Sequence, residues 1–375
     1  MKLTDVINRI NGNVDRFTTD LEYYIGGEHF DSEELVISKR GTIKENLGKL
    51  GFKFHFAFQD RDVIFMARNP HLRKAGMVRF SGLCSDASYI LRSKDENVIS
   101  QEFLAVLLQT DKFWNYCESH KVGSVNFANN WSTIANYEFD LPTPEFQKEL
   151  SEKVWAAYEV KQSYLKMIDA TEEMIKAQFI EMFGGGNWAQ KCLGEVGTFK
   201  RGGGFQKSDF VEHGIPCIHY GQIHTKFGPF ISSHITEISS DLESKTKFAS
   251  KGDLIIAITS EDAEGSCKST AWLGDYPVAV GGHAAIYNHN LNPLYMTFFF
   301  KSTLFNHAKM EYIHGTKVVE IRPDDIAKIL VPCPPMSLQE QFSAIAEQAD
   351  KSISELHKSI DAIDKVIKSL INENL

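Results

Sequence analysis

Slid against itself by 192 residues, this sequence pairs Phe103 with Tyr295, Phe113 with Phe305, Gly123 with Gly315 and Ile134 with Ile326. The same offset pairs Pro142 with Pro334 and Gln147 with Gln339 without a gap, and DVIFMAR (62–68) matches DLIIAIT (253–259) at an offset of 191. Any one of these matches is weak, but a constant offset over such a stretch marks a tandem duplication. Whatever one half folds into, the other must fold into as well. At 375 residues the chain has room for two domains.

Each half opens with mixed, strand-rich sequence. Phe52, Phe54, Phe56 and Phe58 alternate with Lys53, His55 and Ala57, which predicts a strand with one buried face rather than a base-stacking platform. A short helix is expected in QEFLAVLLQTDKFWNY, with a counterpart in LYMTFFFKSTLFNHA. The boundaries LPTP and VPCPP follow, where proline disfavours continuing the preceding element and suits the first turn of a helix. Beyond the second boundary, Ala349, Ile353, Leu356, Ile360, Ile363, Ile367 and Leu370 step by 4, 3, 4, 3, 4 and 3 residues, a heptad seam. The positions 192 residues earlier are Ala157, Lys161, Tyr164, Ile168, Thr171, Ile175 and Gln178, the same seam with polar interruptions. Two helices in one register suit the partners of a coiled coil, and residues 145–182 would span roughly 57 Å at ~1.5 Å per residue. The glycines of FGGGN (183–187) supply a stop. The expected architecture is α/β (α+β), with globular halves at 1–141 and 187–333. Long helices are expected at 142–186 and 334–375, paired as an antiparallel coiled coil.

The net charge of −9 argues against nucleic acid only if it is spread evenly. Residues 1–140 carry 17 Lys+Arg against 19 Asp+Glu, and residues 187–333 carry 14 against 15. Two thirds of the excess therefore sits in the helical segments, and each globular half is free to present a local basic face. The N-terminus MKLTDVINRINGNVD lacks the apolar core of a signal peptide. The greasiest stretches, DLIIAI and LYMTFFF, fall far short of the ~20 residues a membrane helix needs. Six cysteines are scattered without a CxxC pair, which suits a reduced, cytoplasmic setting.

Catalytic signatures are missing. There is no GxGxxG, no GxxxxGK[ST] and no GxSxG. Asn69-Pro70-His71 only partly echoes the Asn-Pro-Pro-aromatic motif of amino-methyltransferases, and RPDDIAK (322–328) has the wrong spacing for a nuclease cluster. Cys217, His219 and His224 match no standard zinc spacing. The chemistry is therefore expected on partners.

An order of globular half, long helix, globular half, long helix is similar to the specificity subunits of Type I restriction-modification systems. The segments that carry the resemblance are RDVIFMARNPHLRKAGMVRFSGLCSDASYILR (61–92) and GSVNFANNWSTIANYEFDLPTPEFQ (123–147), with their analogues GDLIIAIT, HGTKVVEIRPDDIAKILVPCPP and SLQEQ. It covers nearly the whole chain, residues 1–50 departing furthest from the second half's opening WAQKCLGEVGTFKRGGGF. The resemblance implies two target recognition domains, each reading one half of a split double-stranded DNA site, and no catalytic centre. It also implies an antiparallel helical spacer that binds two methyltransferase subunits, which modify adenine with S-adenosylmethionine and to which restriction (nuclease/translocase) subunits can be added. Because a DNA helix turns once in ~34–36 Å, two readers meet one face only at a set separation, which a stiff coiled coil would hold. Two other classes stay open at this point. A self-contained endonuclease or methyltransferase would cleave DNA or bind S-adenosylmethionine alone, whereas a non-DNA scaffold repeat protein would show no DNA affinity.

Candidate DNA contacts follow from charge. The run from Val63 to Ser85 has no acid but holds Arg68, His71, Arg73, Lys74 and Arg79, able to neutralise phosphates or pair with guanine. Asn69 could read adenine. In the second half Lys200, Arg201 and Lys207 flank Gly202, Gly203 and Gly204, whose missing side chains permit close backbone approach. His219, Tyr220 and Gln222 offer hydrogen-bonding edges near a strand end. The plain alternative for each is a solvated loop or turn.

Overall fold

The duplication in the sequence is a duplication of topology. In the computed structural model, residues 1–315 and 318–375 are described, so positions 316 and 317 of the segment HGTKVVEIRPDDIAKILVPCPP lie outside the described residues. The chain divides into two units, Met1–Lys166 with Leu356–Leu375, and Met167–Glu355.

In the first unit a five-stranded sheet runs in the order Ile7–Ile10, Ser88–Ser93, Val63–Met66, Ala75–Val78, Val36–Ile37. In the second the order is Gly197–Arg201, Ala284–His289, Leu254–Ala257, Ser269–Trp272, Phe230–Ile231. Only the last pair is parallel in each. A second sheet in each unit, four-stranded in the first and five-stranded in the second, is built around one parallel pair, Tyr23–Ile25 with Gly82–Ser85 and Ile215–Ile218 with Val278–Val280. Both faces of the central strand are covered. Val63 and Phe65 join the cluster under the helices, whereas Ile64 and Met66 join the cluster between the sheets. Leu254 and Ile256 divide from Ile255 and Ala257 in the same way. This period-two partition makes DVIFMAR and DLIIAIT continuous apolar runs.

Details repeat down to single hydrogen bonds. The Thr110 and Ser302 hydroxyls cap helices by accepting from Phe113 N and Phe305 N. Gln147 Nε2 donates to the Pro142 carbonyl (2.9 Å) and Gln339 Nε2 to the Pro334 carbonyl (2.8 Å). Gly123 and Gly315 both hold positive φ, 108° and 99°, in matching turns. Residues 1–50 share this plan. Leu3 and Val6 are buried in a short helix closed by Asp5, as Leu193 and Val196 are in one closed by Glu195.

Two local expectations change. Each short helix is in fact two, Gln101–Leu107 with Asp111–Ser119 and Pro293–Lys301 with Thr303–Lys309, because Thr110 and Ser302 restart the helix as caps. The phenylalanine stripe is also broken. The strand is Phe54–Phe58, a bulge interrupts it between Phe54 and Phe56, and Phe52 stands outside it, exposed.

The long helices are Pro144–Phe183 and Met336–Asn374, and each unit includes part of both. In the first unit Leu150, Val154 and Tyr158 share a core with Ile371, and Lys161 is paired with Asp364 (2.8 Å). In the second, Ile175, Phe179 and Phe183 share a core with Phe342, Ala346 and Ala349. Rising numbers on one helix meet falling numbers on the other in both units, which is antiparallel pairing. Ile168, Ile175, Ala349, Ile360 and Ile371 are buried, and Ile353, Leu356, Ile363, Ile367, Leu370 and Tyr164 are half-buried. Ala157 is half-buried too, but the larger Tyr158 beside it fills the core position. Lys161, at a seam position, is tolerated because its ammonium also meets Glu34 (2.5 Å).

Candidate nucleic-acid interface

Some of the candidate residues meet the loops that follow the parallel strands of the second sheet, Arg68, Asn69 and Lys74 in the first unit and His219 and Tyr220 in the second. In the first unit these loops frame a groove of about 470 Å³ lined by Gly27, Phe52, Lys53, Arg68, Asn69, Lys74, Asp86 and Ala87. Arg68 leaves the central strand, is exposed, and has no side-chain partner among the described residues. Asn69 holds the left-handed conformation at φ 53° and donates its backbone N–H to Phe127. Lys74 reaches across to donate to the Gly27 carbonyl at 2.7 Å. Lys53 is paired with Asp86 at 3.5 Å, so the rim is not purely basic.

The same hydrogen bonds locate the equivalent face of the second unit. Gly26 N donates to His29 Nδ1 (2.9 Å) where His219 N donates to Gln222 Oε1 (2.8 Å), which places Tyr220 at the position of Gly27. Ala67 N donates to Ala87 O where Ile258 N donates to His283 O, so Thr259 stands for Arg68 and His283 for Ala87. Met66 N donates to Lys74 O where Ala257 N donates to Lys268 O. Lys268 repeats the tether as well, its ammonium donating to His224 O at 2.8 Å.

His283 meets both Tyr220 and Thr259. The Tyr220 and His283 rings lie 5.1 Å apart, and the Thr259 hydroxyl meets His283 Nδ1 at 3.2 Å. His219 stacks obliquely on Tyr220 at 4.5 Å. Burial holds the His219 imidazole below its ordinary range, with nearby His283 and Lys207 adding to the effect. This face therefore offers neutral rings and hydroxyls that both donate and accept. Lysine and arginine stand at its edge. Lys207 is exposed, and Arg201 donates to Gly282 O (2.9 Å) while pairing with Glu320 (3.1 Å). Acidic Glu261, Asp262 and Glu264 follow Ser260 in the adjoining loop.

Several sequence candidates take other roles. Arg73 is committed to Glu33 (2.7 Å) and Asp111 (2.5 Å), and Arg79 to Glu159 on the central helix (2.7 Å), so neither ammonium-like head is free for a phosphate. Gln222 uses both ends of its amide internally, accepting from His219 and donating to Thr236 (2.9 Å). Lys200 is exposed, but strand alternation turns it away from Arg201. Gly202 and Gly203 accommodate the chain's own backbone. A Cβ on Gly202 would lie 2.2 Å from Gly281 O, and one on Gly203 2.7 Å from Lys245 O, while Gly204 is open. Sequence reasoning did not single out Thr259, Lys268 and His283, because no spacing or charge pattern marks them. Equivalence to Arg68, Lys74 and Ala87 could have found them.

Residues 185–364 match the family model described as the Type I restriction modification DNA specificity domain. No curated protein matches the sequence. Among solved structures, the chain is similar to one from a study of complex assembly and conformational transition of the type I R-M system, at 20% identity and a TM-score of 0.54, over 100% of this chain and 97% of that one. It is also similar to the Type-I restriction-modification system S subunit from M. genitalium, at 11% identity and a TM-score of 0.52, over 100% and 95% of the two chains. At such identities these likenesses establish the shared fold, along the whole length. The second half thus carries the match to the Type I restriction modification DNA specificity domain, and the first half builds the same topology again.

Proposed function

We propose that this chain reads a bipartite double-stranded DNA site, one component with each of the two equivalent faces, and presents it to partner methyltransferase subunits. The observation that carries this reading is the doubling itself: one frame of tethers and caps supports two faces of different chemistry in a single chain. The long helices fix the gap between the two components and offer the surface on which two methyltransferase subunits assemble, with restriction (nuclease/translocase) subunits joining that complex. S-adenosylmethionine is held by the methyltransferase subunits, and the assembly works in the cytoplasm. Among the described residues no helix is long and apolar enough to cross a membrane.

The test is an insertion of four residues, about one helical turn, at equivalent places in both long helices, followed by mapping of methylated motifs in cells carrying the variant and its partner. The gap is expected to change while each component stays the same. Altered components with an unaltered gap would refute the reading.

A further inference from the structure

We propose that three of the positions at which the two faces diverge make one chain read two different sequences, and that Arg68 requires a guanine in the component read by the first unit. These positions are Gly27 against Tyr220, Arg68 against Thr259, and Ala87 against His283. The proposal rests on the reading of the chain as a bipartite DNA reader.

The frame around these positions is held in common. Lys74 and Lys268 each tether the short helix that follows a parallel strand, at Gly27 and at His224, and the hydrogen bonds that locate all three pairs are duplicated. Divergence at this place therefore leaves the fold alone and changes only what is presented. In the first unit Gly27 has no side chain and Ala87 only a methyl, so Arg68 stands clear at the groove without an internal partner. A guanidinium only donates, and its planar fork matches the paired acceptors O6 and N7 of guanine, whereas adenine offers a donor beside N7. The second unit carries no guanidinium there. It has a phenol and a hydroxyl, each beside one imidazole, and each of the three is able to donate or accept. His283 Nδ1 is engaged by Thr259, which leaves Nε2 as the edge this cluster can offer to a base.

The experiment uses the full-length chain co-purified with its methyltransferase subunit and a pool of randomised duplex DNA, with the bound fraction sequenced. Wild type is expected to return a two-part motif. Arg68→Ala should erase the preference for one guanine by about tenfold or more while leaving the other part unchanged. Arg68→Lys should weaken the same preference less than Arg68→Ala does, because an ammonium still donates to O6 and N7 but lacks the planar fork. His283→Ala should relax only the other part. A uniform loss of binding with an unchanged motif would assign Arg68 to a phosphate and overturn the proposal, as would a guanine preference that survives in Arg68→Ala. If wild type returns its two-part motif and every variant returns it too, this inference fails alone. A wild-type complex that returns no motif overturns the bipartite reading as well.

Discussion

The first unit builds its face from glycine, alanine and arginine, and the second places tyrosine, histidine and threonine at the same three positions. Beneath them the lysine tether, the helix caps, the buried glutamines and the positive-φ glycines are shared. Duplication has preserved the residues that satisfy backbone groups and fill cores, where a change costs stability. It has released those facing solvent, where a change alters only what can be bound. The contrast can be broken wherever a shared position turns out to matter in one unit only.

The largest effect is expected in the cores. Phe113 and Phe305 are equivalent and fully buried, so Phe113→Ala and Phe305→Ala should each cost about 3–5 kcal/mol. Chemical denaturation of the two variants checks this. A cost near zero for either would mean that its site collapses around the gap, and that the two cores differ more than their topology.

A pH dependence separates the units next. Both ring nitrogens of His289 are buried, and burial pushes its pKa down to about 4 from 6.5 although the Leu291 backbone and the Asp253 charge oppose the shift. The folded protein thus refuses a proton that the unfolded chain takes below pH 6.5. The stability concerned is complete above that value and is lost as pH falls toward about 4, by roughly 3 kcal/mol in all. At the equivalent strand position the first unit has Ser93, which does not titrate there. Burial also lowers His29 in the first unit, but Glu28 opposes that shift. Replacing His289 by Gln should flatten the acid side of the melting-temperature profile, and an unchanged profile would remove the difference between the units.

Much of this frame could be read from the sequence, and the reason it stopped where it did is physical. From Phe103 onward the offset between halves is constant, because helices packed on a core tolerate no insertion. Upstream it drifts. Structural equivalence runs from Leu3 to Leu193, from Ile25 to Ile218, from Ile37 to Ile231, from Val63 to Leu254 and from Ile90 to Ile286, offsets of 190, 193, 194, 191 and 196. Loops of different length between short strands cause the drift, since surface loops absorb insertions cheaply. The reading faces lie in that region, so His283 could not be aligned with Ala87, although the match of DVIFMAR to DLIIAIT already sets Arg68 against Thr259. Charge counting placed Arg68 at the groove but could not see that Arg73 and Arg79 already have carboxylate partners. The bulge between Phe54 and Phe56, and a strand that begins only at Phe54, leave no mark in a pattern of alternation.

Shared caps give a smaller, symmetrical effect. Removing either hydroxyl leaves an N–H at a helix start unsatisfied, so Thr110→Ala and Ser302→Ala should each cost about 1 kcal/mol in thermal unfolding. Unequal costs would show that one unit has a second acceptor for that donor.

Arg79 sharpens the comparison with the smallest effect. It follows the strand Ala75–Val78 as Leu273 follows Ser269–Trp272, and Leu273 packs against the second unit's core. Arg79 lies over Trp155, 5.5 Å from the ring centroid, and its exposed head pairs with Glu159. The two residues are alternative covers for one place, an aliphatic side chain in one unit and an amphipathic arm in the other. Arg79→Leu imports the second unit's solution into the first. The lost pair is exposed and contributes no more than about 1 kcal/mol, offset in part by the leucine's contact with Trp155. Stability is expected to stay within about 1 kcal/mol of wild type, and the DNA motif selected by the complex is expected not to change. A variant that keeps its stability but selects a different motif would place Arg79 on the DNA side, and the division between a shared frame and two divergent faces would have to be redrawn to include it.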